Sequence, residues 1–219
     1  MIVLADVLSP DEVARVRDGV AVAPFRDGRA TAGPAARRVK DNEQARGDDP
    51  GVQALAGLVR EALERHPVFT PLVRPARWSR LMFSRYSGGQ QYGLHTDDAG
   101  MRDEHGGPLR TDLSFTLFLQ DPEAYDGGAL LIDGLDGERE FRPAAGSAVV
   151  YQTGQLHRVT PVTRGERLAC VGWIQSVVRR PDQRELLFDL ERVALSLPPG
   201  ESRLLLDKSL GNLLRMWMD

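Results

Sequence analysis

From Arg77 to about Val177 the sequence is a succession of short β-prone runs cut apart by turn chemistry, and this texture constrains the fold more than any other feature. The runs are WSRLMFSRY (78–86), LSFTLFLQ (113–120), ALLI (129–132), REF (139–141), SAVVY (147–151) and RLACVGWIQ (167–175). Gly88-Gly89, Asp126-Gly127-Gly128, Asp136-Gly137 and the stretch from Pro143 to Gly146 punctuate them. Several short strands at this spacing predict an antiparallel sandwich or barrel rather than a βαβ array. Between two of the runs, Asp98 to Arg110 carries Gly100, Gly106 and Gly107 and reads as a long polar loop.

Helical periodicity lies on either side. Ser9-Pro10-Asp11-Glu12 reads as a helix start: Ser9 caps, Pro10 suits the first helical position and Glu12 closes a capping box. Val13, Val16 and Val20 follow at helical spacing. Residues 23–49 show no clear period and are expected to be loop-rich. Asp49-Pro50 opens a second helix with Leu55, Leu58, Val59, Ala62 and Leu63 on one face, which needs a sheet to cover it. After Gln175 one helix carries Leu186, Leu187, Leu190, Val193, Ala194 and Leu197 and stops at Pro198-Pro199-Gly200; another carries Leu206, Leu210, Leu213, Leu214 and Trp217. The fold class is therefore α+β with a mainly β core. The chain divides into an N-terminal helical and loop segment (1–76), a β domain (77–177) and a C-terminal helical segment (178–219).

Composition excludes several function classes. A net charge of −3, from Lys+Arg 28 against Asp+Glu 31, offers no electrostatic reason to expect nucleic acid or an anionic membrane as partner. The pairs Arg37-Arg38 and Arg179-Arg180 read as solvated surface. Cys170 is the only cysteine, so an intrachain disulfide and a CxxC metal site are both ruled out. Its apolar neighbours mark it as a buried small hydrophobe. The N-terminus lacks the basic region of a signal sequence, and no stretch approaches the roughly 18 apolar residues of a membrane span. A cytoplasmic protein is the expectation.

Two of the four histidines stand in informative settings. His95-Thr96-Asp97 sets an imidazole and a carboxylate two residues apart, and on an extended strand such residues project from one face. His157 follows SAVVY and a polar turn, QTGQ. Two histidines and one carboxylate on a β scaffold form the facial triad that binds iron(II) with open positions for substrate and oxygen. Zinc accepts similar ligands, so the triad alone leaves the metal open. Arg167, ten residues beyond His157 at the head of a returning strand, can aim into the same cavity. A buried arginine needs an anion, and its fork matches a carboxylate. That combination fits a 2-oxo acid co-substrate that chelates the metal at one end and pairs with arginine at the other; the alternative is that Arg167 is a surface strand charge. His105 reads as a solvated loop residue, and His66 as a helix C-terminal dipole partner.

The motifs RYSGGQQYGLHTDDA (85–99), RTDLSFTLFLQDPEAYDGGALLI (110–132) and LHRVTPVTRGERLACVGWIQS (156–176) resemble those of bacterial PKHD-type hydroxylases, relatives of prolyl 4-hydroxylase among the iron(II)/2-oxoglutarate dioxygenases. DGRATAG (27–33), VKDNEQ (39–44) and RELLFDL (184–190) also match, so the resemblance spans nearly the whole chain. It implies a double-stranded β-helix (jelly-roll) core and Fe(2+) held by His95, Asp97 and His157. It further implies 2-oxoglutarate held by Arg167, with Tyr86 against its distal carboxylate, and L-ascorbate as reductant. Asp98 departs from the pattern, standing where asparagine is common. The expected activity is hydroxylation by O2 of a small-molecule or peptide substrate, with release of succinate and carbon dioxide. A jelly-roll sensor of iron or 2-oxoglutarate, and a metal enzyme without an oxo acid, are the alternatives. Leu204-Leu205-Leu206, Leu213-Leu214 and Trp217 carry more apolar surface than one stripe requires, which predicts a homodimer through the C-terminal helices.

Overall fold

The computed structural model describes all 219 residues. Strand β1 (Ile2–Leu4) leads into α1 (Pro10–Ala21), then β2 (Phe25–Asp27), β3 (Lys40–Asp41), β4 (Glu43–Ala45), α2 (Pro50–Arg65), α3 (Phe69–Val73) and β5 (Pro75–Trp78). The central stretch holds β6 (Met82–Ser87), β7 (Gln91–His95), β8 (Gly100–Arg102), β9 (Pro108–Arg110), β10 (Leu113–Phe118) and β11 (Tyr125–Gly127). It continues through β12 (Leu130–Gly134), β13 (Gly137–Phe141), β14 (Ala148–Gln152), β15 (His157–Val159) and β16 (Val162–Ser176) before α4 (Pro181–Ser196) and α5 (Glu201–Trp217) close the chain.

Two sheets face each other. The larger has nine strands along the order β1-β14-β10-β16-β6-β4-β2, with β5 and β11 pairing further stretches of the long β16. The smaller runs β13-β12-β15-β7-β3. From β10 onward the chain alternates between them: β10, β14 and β16 lie in the large sheet, and β12 and β15 in the small one. This is the jelly roll.

Alternation within the large sheet builds three layers. Every residue of β10 is buried, yet Leu113, Phe115 and Leu117 join the main core while Ser114, Thr116 and Phe118 point the other way. In the main core they meet Val13 and Val16 of α1, Val59 and Leu63 of α2, and Phe69 of α3. The opposite face looks across to the small sheet, where Phe118, Val149, Tyr151, Leu130 and Ile132 form a second cluster. One end of that inter-sheet space is apolar, and the other is lined by polar side chains.

The helix starts follow the caps read from sequence. Ser9 N donates to Glu12 Oε2 at 2.9 Å and Glu12 N to Ser9 Oγ at 3.3 Å, and Asp49 Oδ1 accepts from Val52 N at 3.0 Å. Each such cap contributes about 1 kcal/mol. In the C-terminal segment Val178, Leu187, Ala194 and Leu210 are buried together with Trp217 packed on them, whereas Leu195, Leu204 and Leu205 stay exposed.

Three stretches differ from the sequence reading. Residues 23–49, expected as loop, contain β2, β3 and β4, which add strands to both sheets. The segment 98–110 folds back as the hairpin β8–β9, with Asp103 Oδ1 accepting from His105 N and Gly107 N at its tip. The run WSRLMFSRY breaks after Trp78, where the Ser79 hydroxyl accepts from Trp173 N at 2.9 Å.

Candidate active site

The polar end of the inter-sheet space is a cavity lined by His95, Asp97, His157, Arg167, Tyr86 and Lys40, among others. His95 is the last residue of β7 and His157 the first of β15, and the two are direct partners across that antiparallel pair. Pairing, not proximity in sequence, thus brings the imidazoles together, with ring centroids 4.2 Å apart. Asp97 lies just past the end of β7 and returns its carboxylate to the same point. The candidate ligand atoms of all three lie within 4.8 Å of one another.

The hydrogen bonds around the cluster select the tautomer of each imidazole. His95 Nδ1 lies 2.7 Å from Gly93 O, and His157 Nδ1 lies 3.0 Å from Gln155 O. A carbonyl can only accept, so each Nδ1 carries a proton, and in the neutral ring the lone pair is then at Nε2, facing inward. The Nε2 atoms stand 3.8 Å and 3.7 Å from the Asp97 oxygens, too far for a shared proton. Ser114 Oγ donates to Asp97 Oδ2 at 2.9 Å and fixes the carboxylate from behind. Two imidazole lone pairs and a carboxylate therefore converge with no donor among them, an arrangement that a divalent cation fits. Burial, reinforced by His157, pushes His95 down to about 4, which keeps it neutral as a metal ligand must be. Tyr92 stacks on His95 at 3.6 Å between ring centroids, and Tyr151 meets His157 edge-on.

Arg167 occupies the facing wall. It pairs in register with Tyr86 across β16 and β6 and is only 1% exposed. Its Nε and Nη2 have no hydrogen-bond partner, and its guanidinium carbon lies 5.3 Å from the Tyr86 ring and 5.0 Å from that of Phe118. Gly128, at φ 63°, gives the side chain room: a Cβ there would sit 3.0 Å from Arg167 Cδ. Burial raises the pKa of Tyr86, with Arg167 pulling it the other way.

Residues 81–175 match the 2OG-Fe(II) oxygenase superfamily. A PKHD-type hydroxylase of Maricaulis maris strain MCS10 is 49% identical over 223 residues, covering 100% of this chain and 99% of that one. This chain belongs to the PKHD-type hydroxylases. A second member, from Picosynechococcus sp. strain PCC 7002, is 42% identical over 220 residues, covering 99% and 98%. Among solved structures, a Pseudomonas putida prolyl-4-hydroxylase superposes with a TM-score of 0.53 at 25% identity, over 80% of this hydroxylase and 91% of that chain.

All five residues singled out from sequence, His95, Asp97, His157, Arg167 and Tyr86, line this one cavity. Asp98 is exposed and lies against Gly33, where a Cβ would stand 2.8 Å from its Oδ2. His105 is exposed at the hairpin tip, and His66 Nε2 lies 3.2 Å from Ala5 O. Burial also holds the Cys170 thiol protonated. Sequence reasoning missed Ser114 and Lys40. Ser114 was detectable as a hydroxyl inside an otherwise apolar strand; Lys40, on a two-residue strand, left no local trace of its burial.

Proposed function

We propose that this cavity is the catalytic centre of an iron(II)- and 2-oxoglutarate-dependent hydroxylase. His95 and His157 bind the metal through Nε2 and Asp97 through its carboxylate. The Gly93 and Gln155 carbonyls hold the two rings in the ligating tautomer, and Ser114 holds the carboxylate. Arg167 pairs with the distal carboxylate of 2-oxoglutarate, and the Tyr86 hydroxyl lies alongside. When bound, iron(II), 2-oxoglutarate and O2 supply the oxidising power that turns a substrate C–H into C–OH, with the oxo acid leaving as succinate and carbon dioxide. The chain's own part is to orient the bound molecules and, through Phe118, Leu130 and Tyr151, to keep water from the reacting atoms.

The observation that carries this reading is Arg167, a guanidinium buried in the triad's cavity with two nitrogens unpaired. An uncompensated charge at that depth costs several kcal/mol, so the fold tolerates it for the sake of an anion that arrives later. The exposed Leu195, Leu204 and Leu205 support a homodimer through the C-terminal helices. No helix is long and apolar enough to cross a membrane, and a cytoplasmic location with ascorbate keeping iron ferrous completes the proposal.

Anaerobic titration is expected to give one iron(II) per chain and to lose it in His95→Ala, Asp97→Ala and His157→Ala. Succinate formation should require both iron and 2-oxoglutarate. Full iron occupancy in a triad variant would remove that residue from the site. Light scattering should give twice the 24.2 kDa of one chain; a monomer would end the dimer proposal.

A further inference from the structure

The chain has only two lysines. Lys208 is exposed on α5, but Lys40 is 4% exposed and lines the cavity. It sits on β3, the edge strand of the small sheet, in register with Tyr92, whereas Arg167 comes from the large sheet. Each wall of the cavity thus carries one buried cation. Lys40 Nζ donates to Thr31 Oγ1 at 3.0 Å and lies 5.2 Å from the centre of the Tyr92 ring. Thr31 is itself bonded to Gln44, and Gln44 Nε2 donates to Ser84 Oγ at 3.1 Å, so a neutral polar chain props the ammonium from behind. Lys40 forms no ion pair; Asp97 and Asp27 act on it only at longer range. An ammonium has three N–H groups, and only one of these is engaged.

No carboxylate of the chain forms an ion pair with this charge, and the nearer acidic groups serve elsewhere or stand at the rim: Asp27 lies 3.5 Å from Arg29. Asp97 belongs to the metal, and Asp98 on the rim is exposed against Gly33. A 2-oxoglutarate dianion offsets Arg167 and part of the metal's charge. Once those are matched, the ammonium of Lys40 is still without a partner of opposite sign.

We infer that Lys40 receives a carboxylate of the substrate, so that the compound hydroxylated carries an acidic group close to the carbon that reacts. The inference rests on the iron and 2-oxoglutarate reading above. A carboxylate seated between the Lys40 ammonium and the Thr31 hydroxyl would fix the substrate from the small-sheet side, while 2-oxoglutarate is fixed from the large-sheet side. The acid can be a free metabolite, a chain-terminal carboxylate or an acidic side chain, and all three present the same group to Lys40.

Two lysines make the test direct. Protein grown with lysine labelled with carbon-13 at Cε gives two resonances, and Lys40→Arg assigns them by deleting one. The protein is first saturated with zinc, which is redox-inert and diamagnetic, and with 2-oxoglutarate, both followed by calorimetry; failure at this stage would count against the iron and 2-oxoglutarate reading itself. Acetate is then expected to shift the Lys40 resonance saturably and leave Lys208 unmoved, with acetamide silent. By calorimetry Lys40→Met should bind acetate at least tenfold more weakly, and Lys40→Arg should retain binding. N-acetylglycine and the doubly amide-capped aspartate residue separate a terminal carboxylate from a side-chain one. A Lys40 resonance indifferent to acetate, or equally moved by acetamide, would overturn the inference. So would loss of 2-oxoglutarate affinity in Lys40→Met, which would assign the lysine to the co-substrate. A response to acetate but to neither larger acid would reduce the site to one for an adventitious ion only.

Discussion

Two arginines of this hydroxylase are almost wholly buried, one in the cavity and one beneath the C-terminal helices, and they are treated in opposite ways. Arg184, 2% exposed on α4, donates through Nη1 to the carbonyls of Val178 and Arg179 at 2.8 and 2.7 Å, and through Nη2 to Gln152 Oε1 at 3.0 Å. Its charge is sealed by acceptors of the chain, and the bonds pin α4 to the end of β14. Arg167, 1% exposed, faces aromatic rings and has two nitrogens with no acceptor at all. Burial of a charge does not by itself mark a functional site, because the same residue type serves as a structural rivet when the fold supplies its partners. What distinguishes Arg167 is that its unpaired donors face the cavity with no carboxylate beside them, whereas Arg74, whose Nε and Nη2 also lack hydrogen bonds, has Glu191 at 2.8 Å.

The contrast can be broken first at Arg184. Arg184→Met leaves two carbonyls and one amide oxygen without their charged donor, and should lower unfolding stability by about 4 kcal/mol. Affinity for 2-oxoglutarate should not change. Denaturant unfolding beside calorimetry checks both, and a weakened co-substrate titration would erase the distinction between the two regions.

Acid should separate the regions again. His95 sits at about 4 in the fold against an ordinary 6.5, with burial as the first cause. In metal-free protein the unfolded chain therefore takes up this proton first. Stability is full above pH 6.5, falls as pH drops towards 4 and levels off below that, a loss of about 3 kcal/mol. The difference between wild type and His95→Gln isolates this share from that of the carboxylates. A constant difference across that window would show His95 to titrate normally.

The smallest effect belongs to Ser114. Ser114→Ala removes the donor to Asp97 without touching a ligand, and metal affinity should fall by about 10–100-fold. Unaltered affinity would mean that the Asp97 carboxylate needs no support.

Much of this was legible in the sequence because it depends on local pattern. Ser9, Asp49 and Pro50 marked the helix starts, and the turn glycines divided the strands of the core. His157 and Arg167 could be picked out because their positions relative to recognisable strands carried the meaning. Less legible were elements made by non-local pairing. Strand β7, QYGLH, has no clean alternation, and β3 is two residues long; each exists because a partner strand lies beside it. Lys40 was hidden for the same reason, since its burial comes from Thr31, Tyr92 and the cavity wall rather than from its neighbours in the chain. Even the H-x-D spacing worked differently from a plain strand: His95 ends β7, and the carboxylate two residues on is aimed by Ser114 of the opposite sheet.

If the unpaired donors of Arg167 receive 2-oxoglutarate, as proposed, removing the guanidinium should weaken that one ligand and spare the metal. Anaerobic calorimetry of 2-oxoglutarate into iron-loaded wild type and Arg167→Met should show a loss of about 2–5 kcal/mol in binding, with iron still held by the triad. The same variant, stripped of ligands, should be as stable as wild type or more so, because it no longer buries an unpaired charge. An unchanged 2-oxoglutarate affinity in Arg167→Met would show that Arg167 does not hold the co-substrate.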